Sequence, residues 1–315
     1  MHSIEWTGSH LRLLDQRLLP HQTVWLDLHT HNEVAKAISD MVVRGAPAIA
    51  IAGGYGLAMA IAAGTDRQNA SDTLLASRPT AVNLQWALER LATVPDEDVL
   101  SEAIQIHQED LAINHAIGQH GSPLLQGGVL TICNTGALAT SGHGTALGMI
   151  RSAHAAGNDI HVYILETRPY LQGARLTAYE CMEEGIPCTL ITDSMAGALL
   201  QSGRVQAAVA GCDRVANNGD TANKIGTYQL ALLCKAHNVP FYIAMPTTTL
   251  DRTCPNGNEI PIEERSPIEV RSVQGHPVAP YDIDVWNPSF DVTPADLIHG
   301  WVTEKGVWQL PFPSA

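Results

Sequence analysis

Two rhythms of hydrophobic and polar positions divide the chain. Over the first 120 or so residues the apolar positions recur at helical spacing. Asn32 to Val43 reads as a short amphipathic segment, and Pro47 suits the first turn of the Ala-rich helix that follows. Ser77-Arg78-Pro79-Thr80 breaks the pattern, with Thr80 as the expected N-cap of a helix carrying Trp86, Leu88 and Leu91. Asp96 to His120 continues as a long helix with Val99, Ala103, Ile106, Leu111 and Ile113 as its apolar positions. Val24 to Leu28 is the one strand expected in this half. Beyond Gly127 short apolar runs take over: Val129 to Cys133, His161 to Glu166, Cys188 to Thr192, Val205 to Gly211 and Phe241 to Ala244. Helices are expected to open between them near Gly144, Gln172, Met195 and Ala222. The alternation predicts an α/β fold: a mainly helical N-terminal domain over residues 1–122, then a Rossmann-like, doubly wound parallel-sheet domain over residues 123–315. Ligands of such sheets bind at the carboxyl ends of the strands, where the polar, Gly-rich segments fall.

Composition narrows the function. The chain has 315 residues, 45% of them hydrophobic and 16% charged, enough to bury a substantial core. Its 18 Lys and Arg against 32 Asp and Glu leave a net charge of -14, which disfavours nucleic acid as a partner. A small phosphorylated ligand stays open, because two or three placed cations and free backbone N–H groups suffice. The N-terminus lacks a signal-peptide pattern, and the longest apolar stretch, Ala46 to Ala63, is interrupted by Gly53, Gly54 and Gly56, so it reads as a buried helix with no membrane partner. Six scattered cysteines fit reduced thiols in a cytoplasmic protein.

Four segments carry candidate chemistry. Arg44-Gly45-Ala46-Pro47 opens an apolar helix with a permanent charge and free N–H groups; an Arg snorkelling at a helix start is the plain alternative. Cys133-Asn134-Thr135-Gly136 leaves a buried strand, where a thiol serves as a proton donor or as inert packing. Glu166 to Arg175 is a charged strand end whose Gln172 can bond a phosphate or sugar hydroxyl; a structural ion-pair loop between Arg168 and Glu166 explains it equally well. Gly211 to Thr227 is the most specific. A strand delivers Asp213, an Asn-Asn-Gly-Asp turn follows, and Asn223 with Lys224 is expected on the first turn of the next helix. Acid, amide and ammonium together suit proton transfer on an anchored phosphosugar. A weaker pattern, His29-Thr30-His31 after a strand, has the form of a metal pair, but no later strand end supplies further ligands.

Together these segments resemble the methylthioribose-1-phosphate isomerase family of methionine salvage, whose fold is shared with regulatory subunits of the eukaryotic initiation-factor exchange complex. The resemblance covers nearly the whole chain. It rests on Val42 to Ile49, Ser77 to Leu84, Cys133-Asn134 with Gly136 to Thr140, Glu166 to Arg175, Asp193 to Gly197, Asp213 to Thr227, and Pro261 to Arg265. Ile132 and Thr135 depart from the family, which usually has His and Ala there; neither change removes a reacting group. The resemblance implies that Cys133 and Asp213 are the catalytic pair, that Arg44, Gly45, Ala46, Arg78, Gln172, Asn223 and Lys224 hold a phosphorylated pentose, that the working unit is a homodimer, and that no metal or cofactor takes part. It implies an aldose-ketose isomerase. A sister isomerase of 5-deoxyribose 1-phosphate or ribose 1,5-bisphosphate, and a non-catalytic regulatory subunit, are the alternatives.

Overall fold

The computed structural model describes residues 1–79 and 81–314. The expected N-cap Thr80 lies outside them. By compactness the chain divides into two units, one of residues 1–115 with 135–144, the other of residues 116–134 with 145–315.

The first unit opens with a small antiparallel sheet, β1 (Ile4–Trp6), β2 (Leu11–Leu14) and β3 (Trp25–Leu28), of which only the third strand was legible as a pattern. Helices α1 (His31–Ser39), α2 (Ala46–Ala62), α3 (Arg67–Ser77) and α4 (Val82–Ala92) follow, then the long α5 (Val99–Gly121), whose last residues, from Ala116, are counted with the second unit. Apolar on every side, α2 runs through the middle of the core, with Ala48 to Ala60 all buried and α1, α3 and α4 packed around it. Its glycines permit that closeness: a Cβ on Gly53 would stand 2.2 Å from Leu84 Cδ1. The His29-Thr30-His31 pattern is accounted for by a capping box. Thr30 Oγ1 accepts from Glu33 N–H, while the Glu33 carboxylate accepts from His29 N–H at 2.7 Å and from Thr30 N–H at 3.0 Å.

The second unit is built on a seven-stranded sheet. Its strands in chain order are β4 (Gly127–Thr131), β5 (Ile160–Leu165), β6 (Cys188–Ile191), β7 (Ala207–Ala210), then, after a two-strand excursion, β10 (Phe241–Ala244), and finally β15 (Gly300–Thr303) and β16 (Gly306–Trp308). The spatial order is β16-β15-β10-β7-β4-β5-β6, parallel throughout except for β16. Helices α6 (Ala146–Ala155), α7 (Ala178–Glu183), α8 (Ala196–Gln201) and α9 (Thr227–Ala236) connect them. Short of βα alternation, β8 (Arg214–Ala216), β9 (Thr221–Lys224), β11 (Leu250–Asp251) and β14 (Phe290–Thr293) form a second sheet in the order β11-β8-β9-β14. Between β11 and β14, the one-turn α10 (Ile268–Arg271) leads into a small hairpin of β12 (Ser272–Val273) and β13 (His276–Pro277). Trp301 and Phe241 are the largest side chains fully buried in the core, and Trp301 Nε1–H is satisfied by Thr221 Oγ1 at 3.2 Å.

One expected helix is absent as placed. Residues 221–224 are the strand β9, and α9 begins only at Thr227, after Gly226 turns the chain at φ 101°. Thr221 to Lys224 find their backbone partners in β14, some seventy residues further on, and no local pattern announces that pairing. The N-terminus of α9 is capped from the same distant strand: Asp291 accepts from Gly226 N–H at 2.7 Å and from Tyr228 N–H at 3.0 Å. Burial nevertheless pushes the Asp291 carboxyl up to about 6, against those two bonds and the charge of Lys224.

Two measurements follow. Thr30→Ala is expected to lower the free energy of denaturant unfolding by about 1 kcal/mol at unchanged slope, through loss of the cap on α1. For Asp291 the sign is the reverse of an ordinary ion-paired carboxylate. The unfolded group ionises near its ordinary value of 3.8 and the folded one near 6, so its contribution is full below pH 4 and lost as pH rises to 6. Unfolding free energies at pH 4, 5, 6 and 7 should therefore show wild type losing ground to Asp291→Asn between pH 4 and 6, with parallel profiles above that range.

Candidate active site

Strand order locates the site. From β4 the chain moves to β5 and β6 on one side, then crosses back to place β7 and β10 on the other, so the sheet reverses direction between β4 and β7. At such a switch point the loops leaving two adjacent parallel strands separate and leave a crevice at their carboxyl ends. Thr131 at the end of β4 is in register with Val209 of β7. The loop from β4 carries Cys133, and the loop from β7 carries Asp213.

Cys133 is 8% exposed and has φ 64°, a left-handed conformation that costs an L-residue about 1–2 kcal/mol. Both of its peptide groups are taken up. Its N–H donates to Thr167 Oγ1 at 2.8 Å, and its carbonyl accepts from Thr177 Oγ1 at 2.6 Å. The next residue, Asn134, is wholly buried and donates through Nδ2 to Thr177 Oγ1 at 3.2 Å and Glu180 Oε1 at 2.7 Å. Glu180 is itself 0% exposed and paired with Arg151 at 2.5 Å. A buried ion pair thus stands behind the loop, where removal of either partner would leave an uncompensated charge. The helix after this loop opens at Ala146, beyond a tight 3-10 turn at Ala137–Ala139.

Asp213 leaves β7 half-buried. Its N–H donates to Ala222 O at 2.9 Å, while Arg214 is the register partner of that same Ala222, the two-against-one count of a β-bulge. Burial, then the charge of Asp213, pushes the neighbouring Cys212 thiol far up, so that group stays protonated. Arg214 pairs with Asp251 at 3.1 Å.

The loop from β5 is fixed by Asp193, whose carboxylate accepts from Thr167 N–H at 2.8 Å and Arg168 N–H at 2.7 Å. The ion-pair reading of Glu166 and Arg168 gives way to a different arrangement. The Arg168 guanidinium donates to the carbonyls of Val270 at 2.9 Å and Pro169 at 3.0 Å. Burial and the Asp193 charge raise the Glu166 carboxyl. Gln172 then enters a wide helical turn at Gly173–Thr177; it is 4% exposed, and its Oε1 has no hydrogen-bond partner among the described residues. A buried acceptor left over in this way is what a ligand hydroxyl or water would satisfy.

Asn223 and Lys224 are on β9, one strand position apart and hence on opposite faces. Asn223 Nδ2 donates to Thr227 Oγ1 at 2.9 Å; Lys224 Nζ donates to Ser289 O at 2.8 Å and lies 4.5 Å from the Phe290 ring centre. The remaining candidates belong to the first unit. Arg44 is buried, and Gly45, at φ 95°, caps α2 where a Cβ would meet Ala139 O at 2.5 Å. Ala46 is the first helical residue of α2, and Arg78 follows α3 with Nη1 at 3.0 Å from Met41 Sδ.

Thr167, Thr177, Glu180 and Asp291 were not singled out by sequence, and Asp193 only as the head of a motif. The first three lie in or beside the Glu166 to Arg175 segment, but only the backbone geometry shows that two threonine hydroxyls address Cys133. No group of three or more metal-binding side chains occurs among the described residues.

Residues 42–310 match the Initiation factor 2 subunit family. A methylthioribose-1-phosphate isomerase of Alcanivorax borkumensis is 54% identical over 325 aligned positions, covering 98% of this chain and 94% of the relative. Its counterpart in Geotalea daltonii is 51% identical over 97% and 94% of the two chains. Among solved structures, 5-methylthioribose 1-phosphate isomerase from Pyrococcus horikoshii superposes with a TM-score of 0.93 at 40% identity, over 99% of this chain and 93% of that one. The delta subunit of translation initiation factor eIF-2B from A. fulgidus gives 0.87 at 40% identity, over 99% and 96%. Fold and sequence agree: the chain belongs to the initiation factor 2 subunit family, on the methylthioribose-1-phosphate isomerase side of it.

Proposed function

We propose that this protein is the aldose-ketose isomerase that converts 5-methylthioribose 1-phosphate to 5-methylthioribulose 1-phosphate, working as a cytoplasmic homodimer. The observation that carries the reading is the placement of Cys133 and Asp213 on the two loops flanking the switch between β4 and β7. Relatives sharing half or more of their residues over nearly the full length carry that activity in their names.

The chemistry suits the residues. In a 1-phosphorylated ribose the anomeric carbon is blocked, so the ring opens only when its oxygen is protonated. Asp213 serves as the acid at the ring oxygen and then at the hydroxyls. Cys133 takes the proton from C2 and returns one to C1, through an enol-type intermediate; a direct hydride shift from C2 to C1 is the rival route. Ile132, buried in the same apolar cluster as Cys133, keeps water from the stretch beside the thiol. Gln172 Oε1, buried and without a partner among the described residues, accepts from a sugar hydroxyl. Arg44, Gly45, Ala46, Arg78, Asn223 and Lys224 are the further substrate-holding residues of this reading, with the α2 N-terminus at Gly45 and Ala46 suited to an anion. The reading calls for no metal or organic cofactor.

Likeness to the initiation-factor delta subunit supports a second reading, a sensor that binds a phosphosugar without converting it. A sister isomerase of 5-deoxyribose 1-phosphate or ribose 1,5-bisphosphate would differ only where the C5 substituent packs. Ketose formation from the three sugars, measured side by side, separates these readings. Wild type is expected to turn over 5-methylthioribose 1-phosphate fastest, with kcat lowered about 10²–10⁴-fold in Cys133→Ser and in Asp213→Asn while binding persists. Binding without turnover by wild type would give the sensor reading instead. Solvent deuterium at C1 of the product would mark proton transfer over hydride shift.

A further inference from the structure

Cys133 is held at both ends by hydroxyl groups that belong to a different strand connection. The N–H is fixed by Thr167 Oγ1 at 2.8 Å and the carbonyl by Thr177 Oγ1 at 2.6 Å. Each hydroxyl is also fully used on its other side. Thr167 Oγ1–H donates to Leu165 O at 3.0 Å, tying it to the end of β5, and Thr177 Oγ1 accepts from Asn134 Nδ2 at 3.2 Å. Such a hydroxyl cannot rotate away without losing two bonds.

The holding residues are themselves forced into place. Thr167 is β-branched yet sits at φ 65°, where a branched side chain is a genuine outlier, and Leu171 follows at φ 62°. Thr167 endures this because Asp193 grips its N–H and that of Arg168, and because its hydroxyl reaches both Leu165 and Cys133. Thr177 closes the wide helical turn Gly173–Thr177, whose extra residue turns its side chain toward the β4 loop. Positive φ at Cys133 and Thr167, in two loops joined by these hydroxyl bonds, is the mark of a preorganised geometry; a merely packed core would adopt ordinary backbone angles.

We infer that Thr167 and Thr177 are positioning residues for the Cys133 thiol, clamping its peptide in the left-handed conformation that aims Sγ at the substrate carbon. This rests on the catalytic reading of Cys133 and adds to it: the β5–α7 connection supplies the geometry, with Asp193 as its outer anchor. The clamp acts on direction, so its loss should appear in turnover ahead of binding.

The test uses Thr→Val, which keeps the shape and removes the hydroxyl, against Thr→Ser, which keeps the hydroxyl, at each position. Two readouts are taken on the full-length protein: kcat and KM with 5-methylthioribose 1-phosphate, and the rate of Cys133 alkylation by iodoacetamide against pH, followed on the Cys133 peptide by mass spectrometry. Thr167→Val and Thr177→Val are expected to lower kcat about 10- to 100-fold with KM within about threefold, the scale of an ångström-sized misplacement. Their alkylation profiles should shift along the pH axis, and both Ser variants should stay within about threefold of wild type in every respect. Folded Val variants with wild-type kcat and alkylation would overturn the inference. So would Ser variants that fail as badly as Val, an outcome that stays readable even if a Val variant does not fold. Cys133→Ser separates the two claims. If it remains fully active the catalytic reading falls, while the alkylation profiles still decide whether the clamp orients the thiol.

Discussion

Everything at this site depends on the pairing of β4 between β7 and β5. Three parallel strands in register deliver three loops to one edge, and the reversal of strand order between β4 and β7 parts two of them. From that single constraint follow the place of Cys133, the place of Asp213, and the approach of the β5 loop that fixes Cys133 from the side. Parallel strands need long crossovers, and here the crossovers double as the site: the stretch after β5 is at once a connection, a buried amide at Gln172 and a pair of hydroxyl anchors.

How much of this was legible beforehand varies with the range of the interactions. The helices of the first unit could be read because their partners are near in sequence; an apolar stretch such as Ala46 to Ala62 has one sensible fate in water. The five parallel strands expected were found: four are central and largely buried, hence near-continuous apolar runs, and β6 lies at the edge. What escaped was pairing at a distance. The strands β8, β9, β11 and β14 are short, mixed in polarity and stable only in each other's company, and the helix expected at Ala222 is instead a strand because β14 claims it. The small sheet of β1 and β2, and the last two strands, β15 and the edge strand β16, escaped for the same reason. Cys133 and Asp213 could be nominated by residue type and position, but the threonines behind them look like ordinary strand-end residues until the backbone angles are known.

Charge gives a related lesson about scale. A chain with a net charge of -14 repels anions at long range, yet screening confines that field to roughly 10 Å in ordinary salt, while a phosphate feels the N–H groups and cations within contact distance. A cation buried beside a helix N-terminus is worth more to an anion than several exposed lysines, because little water competes for it, and Arg44 is buried just ahead of α2. Overall acidity therefore argues against a polyanion, which must be held along its length, and leaves a single phosphate unaffected.

The strand at 221–224 also changes what Asn223 and Lys224 can do. On a helical first turn, adjacent residues would both edge the same N-terminus and hold one anion together. On a strand their side chains part to opposite faces, with Asn223 turned to Thr227 and Lys224 lying over Phe290. The two residues therefore face different neighbours: Asn223 ties β9 to the first residue of α9 across the turn at Gly226, and Lys224 is anchored on Ser289 O. Asp291 completes the arrangement by occupying the α9 N-terminus. A carboxyl raised to about 6 by burial loses its charge as pH falls through that value, so the cap on α9 is fully charged only above it.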